Sequence, residues 1–437
     1  MKKSFLLSVL ILLGMVLMAP AAWAGESGVD TGDTTFVLMS TALVLLMTPG
    51  LAVFYAGMVR RKNVLSTAMQ SFIMICMISV QWILVGYSIA FGPDKFSLFG
   101  GLSWFGLSGV GMDPNPDYAA TIPHMTFMAF QMMFAIITPA LITGSFAERM
   151  RFPAFIIFSL LWSTLVYDPL CHWVWGAGGW LRSLGALDFA GGMVVHISAG
   201  VSGLVAALVL GRRLGWGSEP ILPHDLPMTI LGTGLLWFGW FGFNAGSALA
   251  AGGLATNTLV VTNTAAAVGA LTWLVIEWLH QGKPTVLGAV SGSIAGLGAI
   301  TPASGFVTPL SAIAIAFVSG SICYYAISVL KNRLGYDDSL DVFGIHGLGG
   351  IWGTLAVGLF ATKAVNPLGA DGLFYGNPHQ LWVQFIGVAA TILFTGLATL
   401  IILKLVNLIT PIRARTDEEI IGLDLSVHGE RAYDHII

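Results

Sequence analysis

The chain has 437 residues and a net charge of −3, with 56% hydrophobic and only 9% charged residues. Soluble domains carry roughly 25% charged residues, so most of this surface does not face water, and the slightly acidic balance argues against a nucleic-acid partner. The length suits one bundle of spanning helices, each needing about 20 apolar residues. Cys76, Cys171 and Cys323 are odd in number and scattered through apolar segments. They form neither a disulfide framework nor a zinc pattern, and inert buried thiols without a metal or other cofactor are expected.

In chain order, residues 1–24 read as a cleaved signal peptide. Lys2 and Lys3 form a basic start, residues 5–18 an apolar core, and Ala22-Trp23-Ala24 a small-residue cleavage site. The mature chain then begins near Gly25 outside the cytoplasm; the competing reading is an uncleaved extra helix. From there, eleven apolar stretches are long enough to span, near 35–58, 64–91, 123–146, 152–171, 191–211, 226–249, 257–279, 285–303, 306–330, 342–362 and 380–405. They place a transport domain over 25–407. With the N-terminus outside, the predicted inner loops and tail hold Arg60, Arg61, Lys62, Arg149, Arg151, Arg212, Arg213, Lys283, Lys331, Arg333, Arg413, Arg415 and Arg431. The outer loops hold only Lys95, Arg182 and Lys363. This asymmetry fits the positive-inside rule and predicts a multi-pass protein of the cell's inner (plasma) membrane with a cytoplasmic C-terminus. Pro411 closes the last helix, and the polar stretch 408–437 is either a solvated end or a regulatory docking surface.

Two insertions break the apolar pattern, Leu187-Asp188-Phe189-Ala190-Gly191-Gly192-Met193-Val194-Val195-His196 and Leu340-Asp341-Val342-Phe343-Gly344-Ile345-His346. They sit five spans apart and start opposed helices, the pattern of an inverted repeat with its site near mid-membrane. The expected fold is therefore an all-α membrane protein of eleven transmembrane helices, an inverted 5+5 repeat plus one extra helix. His196 and His346 are the two histidines well inside apolar spans, where ionisable groups default to a functional hypothesis; a plain interhelical hydrogen bond is the bland alternative. Asp188 and Asp341 are expected to cap helix starts, and Asp188 also has the position for a direct cation ligand.

Aromatic residues cluster in Phe130-Gln131-Met132-Met133-Phe134, His172-Trp173-Val174-Trp175-Gly176 and Trp237-Phe238-Gly239-Trp240-Phe241-Gly242-Phe243-Asn244-Ala245-Gly246-Ser247. Interfacial anchoring alone accounts for most of them. The strings themselves are more specific. Together with Met47-Thr48-Pro49-Gly50, Phe54-Tyr55, Arg61-Lys62-Asn63-Val64-Leu65, Ala147-Glu148-Arg149, Asp188-Phe189-Ala190-Gly191-Gly192 and Asp341-Val342-Phe343-Gly344-Ile345-His346-Gly347, they make the chain resemble the ammonium transporter family (Amt/Mep/Rh), bacterial Amt branch, over nearly its whole mature length. The resemblance implies eleven spanning helices, a homotrimer with one pore per subunit, and nitrogen uptake rather than enzymatic catalysis. By motif position it implies an outer ammonium site at Trp175 and Ser247, enclosed with Phe130 and Trp240. It implies a phenyl gate at Phe134 and Phe243 and a twin-histidine pore at His196 and His346. The tail strings Gly422-Leu423-Asp424 and Ser426-Val427-His428-Gly429-Glu430 resemble the segment that meets a cytoplasmic P-II signalling protein. Met132, Met133 and Pro139 depart from some bacterial members and bear on the course of the third helix.

The implied activity is recruitment of the ammonium ion, its deprotonation and conduction of ammonia, with net electrogenic proton transfer. The alternatives are an electroneutral gas channel, a sensor that binds ammonium without passing it, and a membrane protein with a haem between the two histidines. The sequence contains no HExxH or P-loop motif.

Overall fold

The computed structural model describes residues 28–433; the signal-peptide reading lies outside them. Among the described residues, ten helices are long and apolar enough to cross a membrane. They are α1 (Thr31–Met58), α2 (Arg61–Phe91), α3 (His124–Phe146), α4 (152–175), α5 (Gly192–Leu210), α6 (Leu226–Gly246), α7 (Gly253–Gln281), α9 (Pro309–Leu334), α10 (Phe343–Phe360) and α11 (Pro378–Ile409). The expected eighth span is α8 (Val286–Ile300), a helix of 15 residues. At 1.5 Å per residue it covers about 22 Å, short of the ~30 Å hydrocarbon layer, and the buried turns that follow through Ser304 complete its path. The chain is thus a multi-pass membrane protein with α8 as the shortest crossing among the described residues.

α6 runs along α1, α7 packs on α8 and α9, and α10 and α5 both pack on α11. Helices in lipid gain little from hydrophobicity between them and depend on close backbone approach. Two glycines show why. A Cβ at Gly200 of α5 would press into the backbone of Gly347, and one at Gly350 of α10 would lie 2.9 Å from the His196 Cβ. The two histidine-bearing helices therefore cross in direct contact.

Both begin with a π-helical turn, 192–197 and 343–347, and each turn carries its histidine. The carboxylates that prepare these turns differ from the expected pair. Asp188 accepts from the amides of Gly191, Gly192, Met193 and Val194 at 2.6–3.4 Å. Asp341 does not cap: its φ of +62° turns it away, and it pairs with Lys331 at 2.6 Å. The amide of Phe343 donates instead to Asp338, at 2.7 Å. Asp188 and Asp338 stand at equal spacing before His196 and His346, and Gly191, also at positive φ, corresponds to Asp341. The internal repeat is therefore real but in a register three residues from the one the sequence offered.

At the end of the bundle carrying most of the arginines, buried charges tie the connections together. Asp337 accepts from Arg213 Nε at 3.0 Å and Nη2 at 2.8 Å, and Arg149 donates to the Asp337 carbonyl and to Ser339 Oγ. Burial alone would raise the Asp337 carboxyl, but the hydrogen bonds and charge of Arg213 hold it below its usual range. Glu148 binds Arg60 at 2.5 Å. The tail is folded onto this end rather than solvated. The Asp424 carboxylate accepts from the amides of Leu65 and Ser66 at 3.0 and 2.8 Å, Lys62 donates to the carbonyls of Glu419 and Ile420, and Arg413 pairs with Glu419 at 2.7 Å.

Candidate functional site

Two cavities lie in line through the bundle, separated by a pair of phenyl rings. The wider one holds about 250 Å³ and opens at the end opposite the arginine-rich connections. Trp175, the last residue of α4, and Ser247, which caps α6, both line it, with Gln131, Tyr118, Asp188 and Arg182. The indole Nε1 of Trp175 donates to the Asp188 carbonyl at 2.7 Å, which fixes the ring against the wall. Ser247 Oγ donates to the Phe243 carbonyl at 2.9 Å. Its lone pairs remain to accept a bond from a bound donor.

Asp188 borders this vestibule, but its carboxylate is already engaged by four amides. An ionised carboxylate has about four acceptor sites, so this group holds the start of α5 and contributes charge rather than a free ligand oxygen. Burial pushes its carboxyl up from the usual range and the four amides pull against that push. Burial likewise pushes the Tyr118 hydroxyl up to about 12.

The floor of the vestibule is Phe134, which stacks on Phe243 with ring centroids 4.2 Å apart and an interplanar angle of 36°. Below Phe243 lies the second cavity, about 10 Å³ and almost wholly apolar. One water needs roughly 10–15 Å³, so the lumen is narrow, with room for about one water-sized molecule. Met47, Leu51, Phe54, Ile137 and Leu236 line it, and His196 and His346 are its titratable groups. The two imidazoles lie nearly parallel, 8° apart, with Nδ1 facing Nδ1 at 3.1 Å. A bond between like nitrogens needs one donor and one acceptor, so the pair shares a single proton. One ring then turns an N–H and the other a lone pair toward the conduit. His196 Nε2 has no protein partner.

Two aromatic residues sit differently from the sequence expectation. Trp240 does not line the vestibule; it lies in the lower cavity, stacked on His196 at 5.6 Å and 18°, with its Nε1 donating to Thr301 Oγ1 at 2.9 Å. Phe130 is fully buried and lines neither cavity. It packs edge-on behind Phe134 at 5.0 Å, so it backs that ring rather than walling the vestibule. Met132 and Met133 line neither cavity, and Pro139 lies within an uninterrupted α-helix. Sequence reading missed Thr301, Gln131, Tyr118 and Arg182 as site residues.

Residues 35–433 match the model of the Ammonium Transporter Family. The chain belongs to the ammonium transporter family. It is 58% identical over 403 residues to the ammonium transporter of Bacillus subtilis, covering 92% of this chain and 98% of that one. It is 50% identical over 404 residues to ammonium transporter Amt1 of Archaeoglobus fulgidus, covering 92% and 99%. Among solved structures, Saccharomyces cerevisiae Mep2 superposes with a TM-score of 0.84 at 37% identity, covering 90% of this chain and 89% of that one. A structure titled Sensor Amt Protein gives 0.84 at 30% identity, covering 91% and 98%. This ammonium transporter family member is thus a membrane transporter rather than an enzyme. No metal fits between the two facing Nδ1 atoms, since two metal–imidazole bonds of about 2 Å would need them about 4 Å apart, against 3.1 Å observed.

Proposed function

We propose that ammonium is recruited between Trp175 and Ser247, loses its proton at the Phe134/Phe243 gate, and crosses as ammonia past His196 and His346. The observation that carries this reading is the order of the two spaces: a wide, partly polar vestibule, a closed phenyl pair, then an apolar lumen of about 10 Å³. Burying an unpaired ion in such a medium costs on the order of tens of kcal/mol by idealised solvation, and a neutral molecule far less. The indole face supplies about 0.5–2 kcal/mol of cation–π attraction and the serine one hydrogen bond. These concentrate the ion without offsetting its dehydration. Phe130 and Trp240 act from behind the gate and below it. The proton follows through the shared histidine pair, so uptake is electrogenic.

The vestibule faces outward and the arginine-rich end with its docked tail faces the cytoplasm, in the orientation the positive-inside rule favours. Residues 1–24 are a cleaved leader, 25–407 the transport unit and 408–437 a regulatory tail. The protein works in the inner membrane as a homotrimer, and the tail meets a P-II signalling protein. Uptake by a transport-deficient host separates transport from sensing alone.

Trp175→Leu tests the recruitment step. The apparent KM for ammonium rises about twofold to thirtyfold, the range set by one cation–π contact, while the maximal rate changes little. An unchanged KM with normal expression removes Trp175 from the site.

A further inference from the structure

His172 lies one helical turn before Trp175 on α4 and is fully buried. Its two ring nitrogens meet two acceptors: Nδ1 is 3.0 Å from the Ala90 carbonyl at the end of α2, and Nε2 is 2.9 Å from Asp94 Oδ1. A carbonyl oxygen can only accept, so Nδ1 carries a proton. Asp94 is partly exposed at 31%, and its Oδ2 accepts from the Ser97 amide at 3.1 Å. The ring is therefore held between the α2 end and the hairpin of β1 (Asp94–Lys95) and β2 (Phe99–Gly100).

The turn after Trp175 closes tightly over this pair. A Cβ at Gly178 would lie 2.6 Å from the Asp94 Cβ, and one at Gly179 would collide with the His172 carbonyl. Gly176 donates to that carbonyl at 3.0 Å. The recruiting indole thus stands on a helix end clamped through His172.

The other ionisable groups around His172 are already engaged or stand further off. Tyr87 on α2 is bonded to His124, and Tyr118 donates to the Phe91 carbonyl. Arg182 donates to the carbonyls of Trp175 and Asp117, and Asp188 is held by four amides. On α4 itself Cys171 is adjacent and Asp168 is bonded to Gln81. Lys95 follows Asp94 in the hairpin.

We propose that His172 is a positioning residue for ammonium recruitment: its ring, bonded to the Ala90 carbonyl and to Asp94, fixes Trp175, and loss of either contact weakens recruitment without changing conduction. The inference rests on Trp175 being the recruiting ring.

The test uses the full chain in liposomes at neutral pH, with KM for ammonium and maximal current read separately. Asp94→Asn weakens the contact at a partly exposed position and lifts KM about threefold to tenfold, with maximal current matching the wild type. His172→Gln likewise raises KM alone. An Asp94→Asn KM equal to that of the wild type, or a fall in maximal current in place of the KM change, overturns the proposal. Trp175→Leu is measured alongside. If it leaves KM unchanged, the recruitment reading itself fails; if it raises KM while Asp94→Asn stays flat, only the role of His172 fails.

Discussion

Asp188→Ala will abolish ammonium uptake and sharply lower the yield of folded protein. The carboxylate satisfies four buried amides at the start of α5, and each buried donor left without a partner costs about 1–3 kcal/mol. The sum is a large share of the roughly 5–15 kcal/mol by which a folded protein is stable. Local loss of the turn would also move the carbonyl that holds the Trp175 indole and the π-helical turn that aims His196. Asp188→Asn, which keeps an acceptor but loses charge and half the acceptor capacity, should fall between the two. Detergent-solution yield and thermal midpoint, read beside uptake, check this. A well-folded Asp188→Ala protein with normal uptake would show that the amides find other partners.

His196→Ala acts on a different step. It leaves His346 Nδ1 facing an apolar space where its partner stood at 3.1 Å, and it removes the surface on which Trp240 stacks. The expected result is a maximal rate reduced about tenfold to a hundredfold, the equivalent of one unsatisfied buried group, with KM nearly unchanged because the vestibule is untouched. Rate against concentration for purified protein gives both numbers. Unchanged maximal uptake would remove the histidine pair from the conduction path.

How far the sequence alone led depended on the kind of signal. Long apolar runs located ten helices within a few residues, because a spanning helix leaves little freedom of length. The eleventh, α8, read as ordinary because Thr301 and Ala303 are small enough to extend the run past the true helix end at Ile300. The paired histidines stood out as costly groups in apolar segments, and the structure brings their rings into contact.

The register of the internal repeat was hidden by chemistry. Asp337, Asp338 and Asp341 are equally plausible caps in a sequence, and a non-glycine residue at positive φ, as at Asp341, is uncommon. Depth was equally illegible inside the α6 string, where aromatic residues fall on several faces. Trp240 and Phe243 are both buried, yet the vestibule above them meets Ser247 and not Trp240. Nor did the polar composition of the tail reveal that Asp424 would close the free amides at the start of α2. That contact joins residues far apart in the chain and has no local pattern.

The account turns on the dehydrated ion being too costly to pass the phenyl pair and the apolar lumen intact, so that a proton must be lost first. The direct measurement is current across liposomes holding the purified protein, evoked by equal pulses of ammonium and of potassium, a cation with no proton to give up. A current with ammonium and none with potassium is the predicted result; potassium current of comparable size would contradict it.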